Sequence, residues 1–245
     1  MKTQLKFSSI LLVGVAILFT NCTGSTGKVP GSLNLKAASL KIGAVPAATI
    51  SNVSLTSAIV QIQNLVIEEN SGNNSQSNME NNTDSNLPDG AAESVKSTEK
   101  DDGNIMLSGP YVLDVLSGNA LIDNVSLQPG NYKQVNFSFV PNKANAHSIV
   151  ITGNFNKNGA LIPFTITSDI TNSIQLPLSG IGLTITTGTT SSLSIVFDVN
   201  AWIKNLDFST ATITNNSINI SSTENQPLYT VFISALATNI DTEKE

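Results

Sequence analysis

From Gly31 onward the chain is a succession of short stretches in which apolar and polar residues alternate, the signature of strands buried on one face. Leu33, Leu35, Leu40 and Ile42 alternate with polar neighbours, and residues 57–69 (SAIVQIQNLVIEE) form a longer apolar-rich run that predicts a core strand. After a polar interval the pattern resumes at 105–107 and 111–116, turns at Ser117-Gly118-Asn119, and returns as a strand over 121–127. Gln128-Pro129-Gly130-Asn131 predicts a type II turn, since proline presets the first central position and glycine accepts the positive φ of the second. Residues 132–140 carry the cleanest alternation, with Val135, Phe137 and Phe139 on one face and Gln134, Asn136 and Ser138 on the other.

Residues 148–154 and 160–168 flank Asn158-Gly159, the dipeptide of tight hairpins. Pro163 lies inside the second of these strands and predicts an edge or a bulge there. Stretches 174–178 and 183–187 continue the meander, 192–199 (SLSIVFDV) is a further core strand, and Trp202 and Ile203 are placed to cover the end of the core. One or two short strands are expected over 211–220. Towards the end the period changes: Leu228, Val231, Phe232, Ala235, Leu236 and Ile240 fall at helical spacing, with Asn225 as the cap and Pro227 in the first turn. That pattern predicts an amphipathic helix of about 14 residues, with an edge strand over 229–235 as the alternative. The fold class expected is all-β, an antiparallel β-sandwich of immunoglobulin-like or transthyretin-like type. It forms a single domain over 31–240, followed by a polar tail at 241–245.

Two segments fall outside this pattern. Residues 70–104 hold almost no large apolar side chain and are rich in Asn, Ser, Asp and Glu. They cannot bury enough surface to offset their ordering entropy, so a disordered insertion between strands is expected. Within it, Asp84-Ser-Asn86-Leu-Pro88-Asp89-Gly90 hints at a calcium loop, but proline occupies the fifth ligand position and no glutamate closes the twelfth. The other segment is the N-terminus, MKTQLKFSSILLVGVAILFTNC: Lys2 and Lys6, an apolar run over 10–19, then a short polar approach to Cys22. This is the three-part plan of a secretory signal peptide, and the run is too short to span a bilayer, which takes about 20 residues. Because it ends at a cysteine it looks like a bacterial lipoprotein signal, in which Cys22 is acylated and becomes the first residue of the mature chain. Phe19 and Asn21 stand where the usual box has leucine and a small residue, which resembles the looser boxes of spirochaete lipoproteins. The expected organisation is a signal over 1–21, a lipidated tether over 22–30 (TGSTGKVP following Cys22), and then the sandwich.

Charge and composition narrow the chemistry. Cys22 is the sole cysteine and His147 the sole histidine. With its thiol used for lipid, the domain has none left for a disulfide or a thiolate metal site. All twelve basic residues are lysine and the net charge is −6, which argues against nucleic acid, for which a basic face and arginine forks are the usual means. His147 has no second imidazole beside it and is expected to be a surface loop residue. Asp114, Asp123, Asp169, Asp198 and Asp207 are scattered acids from which a hydrolytic carboxylate pair could be drawn, although acids at strand ends commonly serve turns and caps. Tyr111, Tyr132, Trp202 and Tyr229 are expected as core or corner residues rather than as a carbohydrate platform. No cofactor and no metal site is expected.

The stretches LDVLSG at 113–118 and LQPGNYKQV at 127–135 are similar to the core motif of a widespread bacterial lipoprotein family. In that family a strand of type DLL-x-L-x-x-G is followed by L-P-x-G-x-Y-x-Q-I, and LSIVFDV at 193–199 fits a later part of the pattern. The family is known as a domain of unknown function. The resemblance implies a β-sandwich in the cell envelope and brings no chemistry with it. The function expected is that of an outer-membrane lipoprotein, lipid-anchored on the periplasmic or outer face, acting as a non-catalytic binding or structural module towards a protein or carbohydrate ligand. The alternatives are a fimbria-like subunit assembling by strand exchange and an envelope hydrolase using an acidic pair.

Overall fold

The computed structural model describes residues 29–39, 52–70, 98–99, 104–118 and 120–244. The signal-like segment, Cys22, the calcium-like loop at 84–90 and most of the acidic insertion lie outside the described residues. The strands, in order, are β1 (Gly31–Ala38), β2 (Val53–Glu69), β3 (Thr98–Glu99), β4 (Ile105–Leu107), β5 (Tyr111–Asp114), β6 (Ala120–Leu127), β7 (Gly130–Phe139) and β8 (Ile149–Lys157). There follow β9 (Ala160–Ser168), β10 (Ser173–Pro177), β11 (Leu183–Ile185), β12 (Thr190–Phe197), helix α1 (Val199–Ile203), β13 (Ile218–Ile220), helix α2 (Gln226–Leu236) and β14 (Ile240–Lys244). The fold is all-β, as the alternation predicts, and forms two sheets.

The smaller sheet has the order β14-β12-β1-β6. In the larger one, β2 is the spine. Ile59 and Ile62 each pair on both edges, with β5 on one side and with β8 or β7 on the other. So β7 and β8 follow one another along the same edge of β2, interrupted by the loop 140–148, and β10 and β9 repeat this arrangement one strand further out. The inward positions of both sheets form one core: Leu33, Leu35, Val60, Ile62, Phe137, Phe139, Ile195 and Phe197 are all at most 1 % exposed. Alternation dictates this placement, because a strand in register presents every second side chain to the same face.

Several expectations are corrected. The sandwich is not purely antiparallel, since β1 runs parallel to β12 and β13 parallel to β9. The stretches 111–116 and 121–127 do not form a hairpin: β5 joins β2, β6 joins β1, and the turn between them crosses from one sheet to the other. Gly130 does not take the positive φ that a type II turn needs; it opens β7, and the buried Tyr132 donates its hydroxyl back to the Gln128 carbonyl at 2.9 Å to hold the bend. Thr98–Glu99, inside the expected insertion, pairs with Ile105 and Met106. The polar tail at 241–245 is a strand through Lys244, with β14 pairing antiparallel to β12.

Other details follow the local rules. Asn158 and Gly159 both have positive φ (55° and 90°), as a type I′ turn requires. Pro163 pairs with Asn154 on one side, and β13 begins only at the level of Phe164, so the missing N–H falls where β9 is still an edge. Helix α2 is shorter than expected and buries Leu228, Phe232 and Leu236, an i, i+4, i+8 stripe. Asn225 stands at the N-cap, where its carbonyl accepts the first helix N–H groups, but its side chain makes no cap bond. With φ 48° and ψ 42° its side chain turns away, accepting from the Thr212 N–H (2.7 Å) and donating to the carbonyls of Thr212 and Asn219. Asparagine tolerates this left-handed conformation better than most residues.

Candidate functional site

The dispersed acids are local braces. Asp114 accepts from the Leu116 N–H at 3.2 Å and Asp198 from the Ala201 N–H at 2.9 Å. Asp207 accepts from the N–H and hydroxyl of Ser209 at 3.0 and 2.6 Å, and Asp123 from the Asn124 N–H at 2.7 Å. The first three sit where a chain enters a helical turn, and a carboxylate there satisfies N–H groups that have no partner within the turn. Asp169 is exposed. Among the described residues no three acids, histidines or cysteines gather as a metal cluster. His147 lies half-buried in the loop 140–148, and its Nδ1 is buried without a partner among the described residues.

Of the aromatics, Tyr132 and Trp202 are fully buried. Trp202 stands edge-on to Phe197 and to Phe232, with both ring centroids 6.2 Å away, and α1 and α2 carry this cluster into the core. Tyr229 is half-buried, and its hydroxyl lies 3.1 Å from that of the buried Ser168. Tyr111 reaches from β5 towards β6 of the other sheet. Burial chiefly, and then the negative charge of Asp123, push its hydroxyl above the usual tyrosine range. Among the described residues no hydrogen-bond partner lies within bonding distance of the hydroxyl. The geometry therefore supports burial and charge.

Among the described residues, recesses open at two places of interest. One, of about 510 Å³, lies between α1 and α2 and includes Ala201, Lys204, Asn205, Val231, Ser234 and Asn239. Its hydroxyls and amides are already turned onto helix carbonyls: Thr230 onto Gln226, Ser234 onto Thr230, Asn239 onto Ala235. Lys204 is the C-cap of α1, where a cation is favoured by the helix dipole. The other, of about 500 Å³, is at the β8–β9 turn beside Asn52, Lys157 and Ser209.

Hydroxyl and amide contacts run across the outward faces of the sheets. Ser32 and Thr190 (2.7 Å), Thr56 and Thr152 (2.9 Å), and Ser138 and Ser173 (2.9 Å) face one another across strands. Gln134 donates to Asn136, which donates to Glu68, and Glu68 also faces Lys133 at 3.8 Å. The sequence shows these residues as the polar half of each alternation, but not which of them stand opposite one another.

A further feature escaped the sequence reading. β1, the first strand among the described residues, occupies the interior of the smaller sheet, between β12 and β6. Alternation marks it as half-buried but says nothing about its neighbours. Comparison of the chain with protein-family models, with curated proteins and with solved structures gave no match.

Proposed function

We propose that the chain is an envelope lipoprotein, a β-sandwich carried on a lipid tail at Cys22 and serving as a non-catalytic binding or structural module at the outer membrane. The observation that carries this reading is the N-terminal sequence, in which an apolar run too short to span a bilayer ends at the only cysteine. Stable anchoring takes more than one acyl chain, and a triacylated cysteine meets that need. The architecture is compatible with a tether: exposed Val29 and Pro30 lead directly into β1. The outward Ser, Thr, Asn and Gln side chains offer the hydrogen-bonding groups that a protein or carbohydrate ligand would use.

The test is labelling with palmitate in cells treated with globomycin, which blocks lipoprotein signal cleavage. Wild-type chain should incorporate label and accumulate as the larger precursor only under globomycin, whereas Cys22→Ala should take up no label and stay at precursor size with or without it. Normal processing and release of Cys22→Ala would sink the proposal.

The fimbria-like reading is favoured by one observation of its own, the interior position of the N-terminal strand β1. A strand so placed can be supplied by another copy without changing the sheet it completes.

A further inference from the structure

β1 makes seven register pairs with β12, running parallel, and seven with β6, running antiparallel. Its inward residues Leu33, Leu35 and Ala37 are completely buried, and outward Ser32 meets the hydroxyl of Thr190 at 2.7 Å. β6 and β12 do not pair with each other; only β1 joins them. Without it, two facing strand edges and three core positions would lie open, a slot shaped for one strand.

The slot sets conditions on its occupant. At the first position a Cβ would lie 2.5 Å from the Ile185 Cγ2 and 2.7 Å from the Thr186 carbonyl oxygen. Neither the branch methyl of buried Ile185 nor the main-chain oxygen can readily give way, so the position takes glycine. The third, fifth and seventh positions face the core and take apolar residues. A register shift between Leu35 and Lys36 on the β6 side matches the occupant to a single alignment.

We propose that the slot between β6 and β12 is a docking site for strand Gly31–Ala38 of a second copy of this chain, and that Gly31 is the residue by which the slot recognises it. This rests on the strand-exchange reading above. Every copy carries the strand that satisfies these conditions, and exchange keeps each hydrogen bond and buried contact, so its cost falls on the connecting segment. Residues 39–52 join β1 to β2, and a chain of that length reaches at most roughly 50 Å, enough to seat β1 in a neighbour. Copies held on one membrane surface also meet at high effective concentration.

The experiment uses full-length chains carrying Cys22→Ser, so that introduced thiols are the only ones. A donor chain with Ser32→Cys and an acceptor chain with Thr190→Cys are refolded together and oxidised, and peptides bridging positions 32 and 190 are identified by mass spectrometry. The two sites sit on different molecules, so only exchange joins them. The proposal expects a bridged dimer, and a loss of roughly tenfold or more when the donor also carries Gly31→Ala. The acceptor slot is unaltered in that pair, and a donor that folds poorly frees its strand, so the loss reports rejection by the slot. If a single chain bearing both cysteines bridges within itself while the mixed pair does not, the exchange reading fails and this inference with it. If the mixed pair bridges as well with Gly31→Ala as without, exchange stands and the recognition by Gly31 is overturned. If neither arrangement bridges, β1 does not lie beside β12 and both fall.

Discussion

Asp198 and Asp169 are alike in sequence, each an acid at the end of an apolar strand, and differ in what they hold. Asp198 caps α1 through the Ala201 N–H, whereas Asp169 is exposed. Replacing Asp198 by alanine should cost about 1 kcal/mol of unfolding free energy, and Asp169→Ala should stay within about 0.5 kcal/mol of wild type. Urea titration of the two variants checks this, and equal effects would contradict the capping role. At Tyr111 the sign of the pH effect follows from a pKa raised in the folded state. The hydroxyl keeps its proton in the fold at a pH where the unfolded chain has begun to lose it, near 10. The contribution is therefore whole below that pH and is lost as pH rises through it towards the folded pKa. Tyr111→Phe should lose less stability than wild type between pH 8 and pH 11, read as the change in urea midpoint. The sequence shows that these residues are polar or aromatic. Which of them brace a turn depends on whether the next few residues turn helical, and which reaches across to the other sheet depends on how distant strands pair.

At the scale of elements, the strands were legible wherever one face meets the core and the other meets solvent, as in β7 and β9. What the sequence did not disclose is pairing. The hairpin expected at 117–119 is a crossover, because the Asp114 cap turns residues 115–117 into a short helical turn that redirects the chain. The C-terminal stripe predicts too long a helix because Ile240 continues the helical spacing of Leu228, Phe232 and Leu236 yet belongs to β14. Its burial is real, but the element that buries it is different. Helix α2 is fixed by Phe232, fully buried against Trp202 and Tyr229. Phe232→Ala should destabilise the chain by about 3–5 kcal/mol. The single tryptophan lies against the vacated space, so its emission should shift to the red in the folded variant. An unchanged emission maximum would mean that α2 is not seated as described.

For the whole molecule, the two sheets are tied along an edge by the C-terminal strand. Lys244 of β14 donates to the carbonyls of Ser179 and Gly182 at 3.1 and 2.9 Å, which belong to the loop joining β10 and β11 on the larger sheet. Charged residues on β14 (Asp241, Glu243, Lys244) also blunt that edge against unplanned pairing. The outer edge of β6 is treated in the same way, with Asp123 drawing the Asn124 N–H onto its own carboxylate. Both outer edges of the smaller sheet are guarded, while the slot in its middle depends on the first strand.

The interior position of β1 has a mechanical consequence. A pull arriving through Val29 acts along the axis of the strand, so the hydrogen bonds to β6 and β12 share the load in shear instead of parting one after another. Endurance under such tension is a matter of unfolding rate rather than equilibrium stability. β1 thus works as a rivet gripped on both sides.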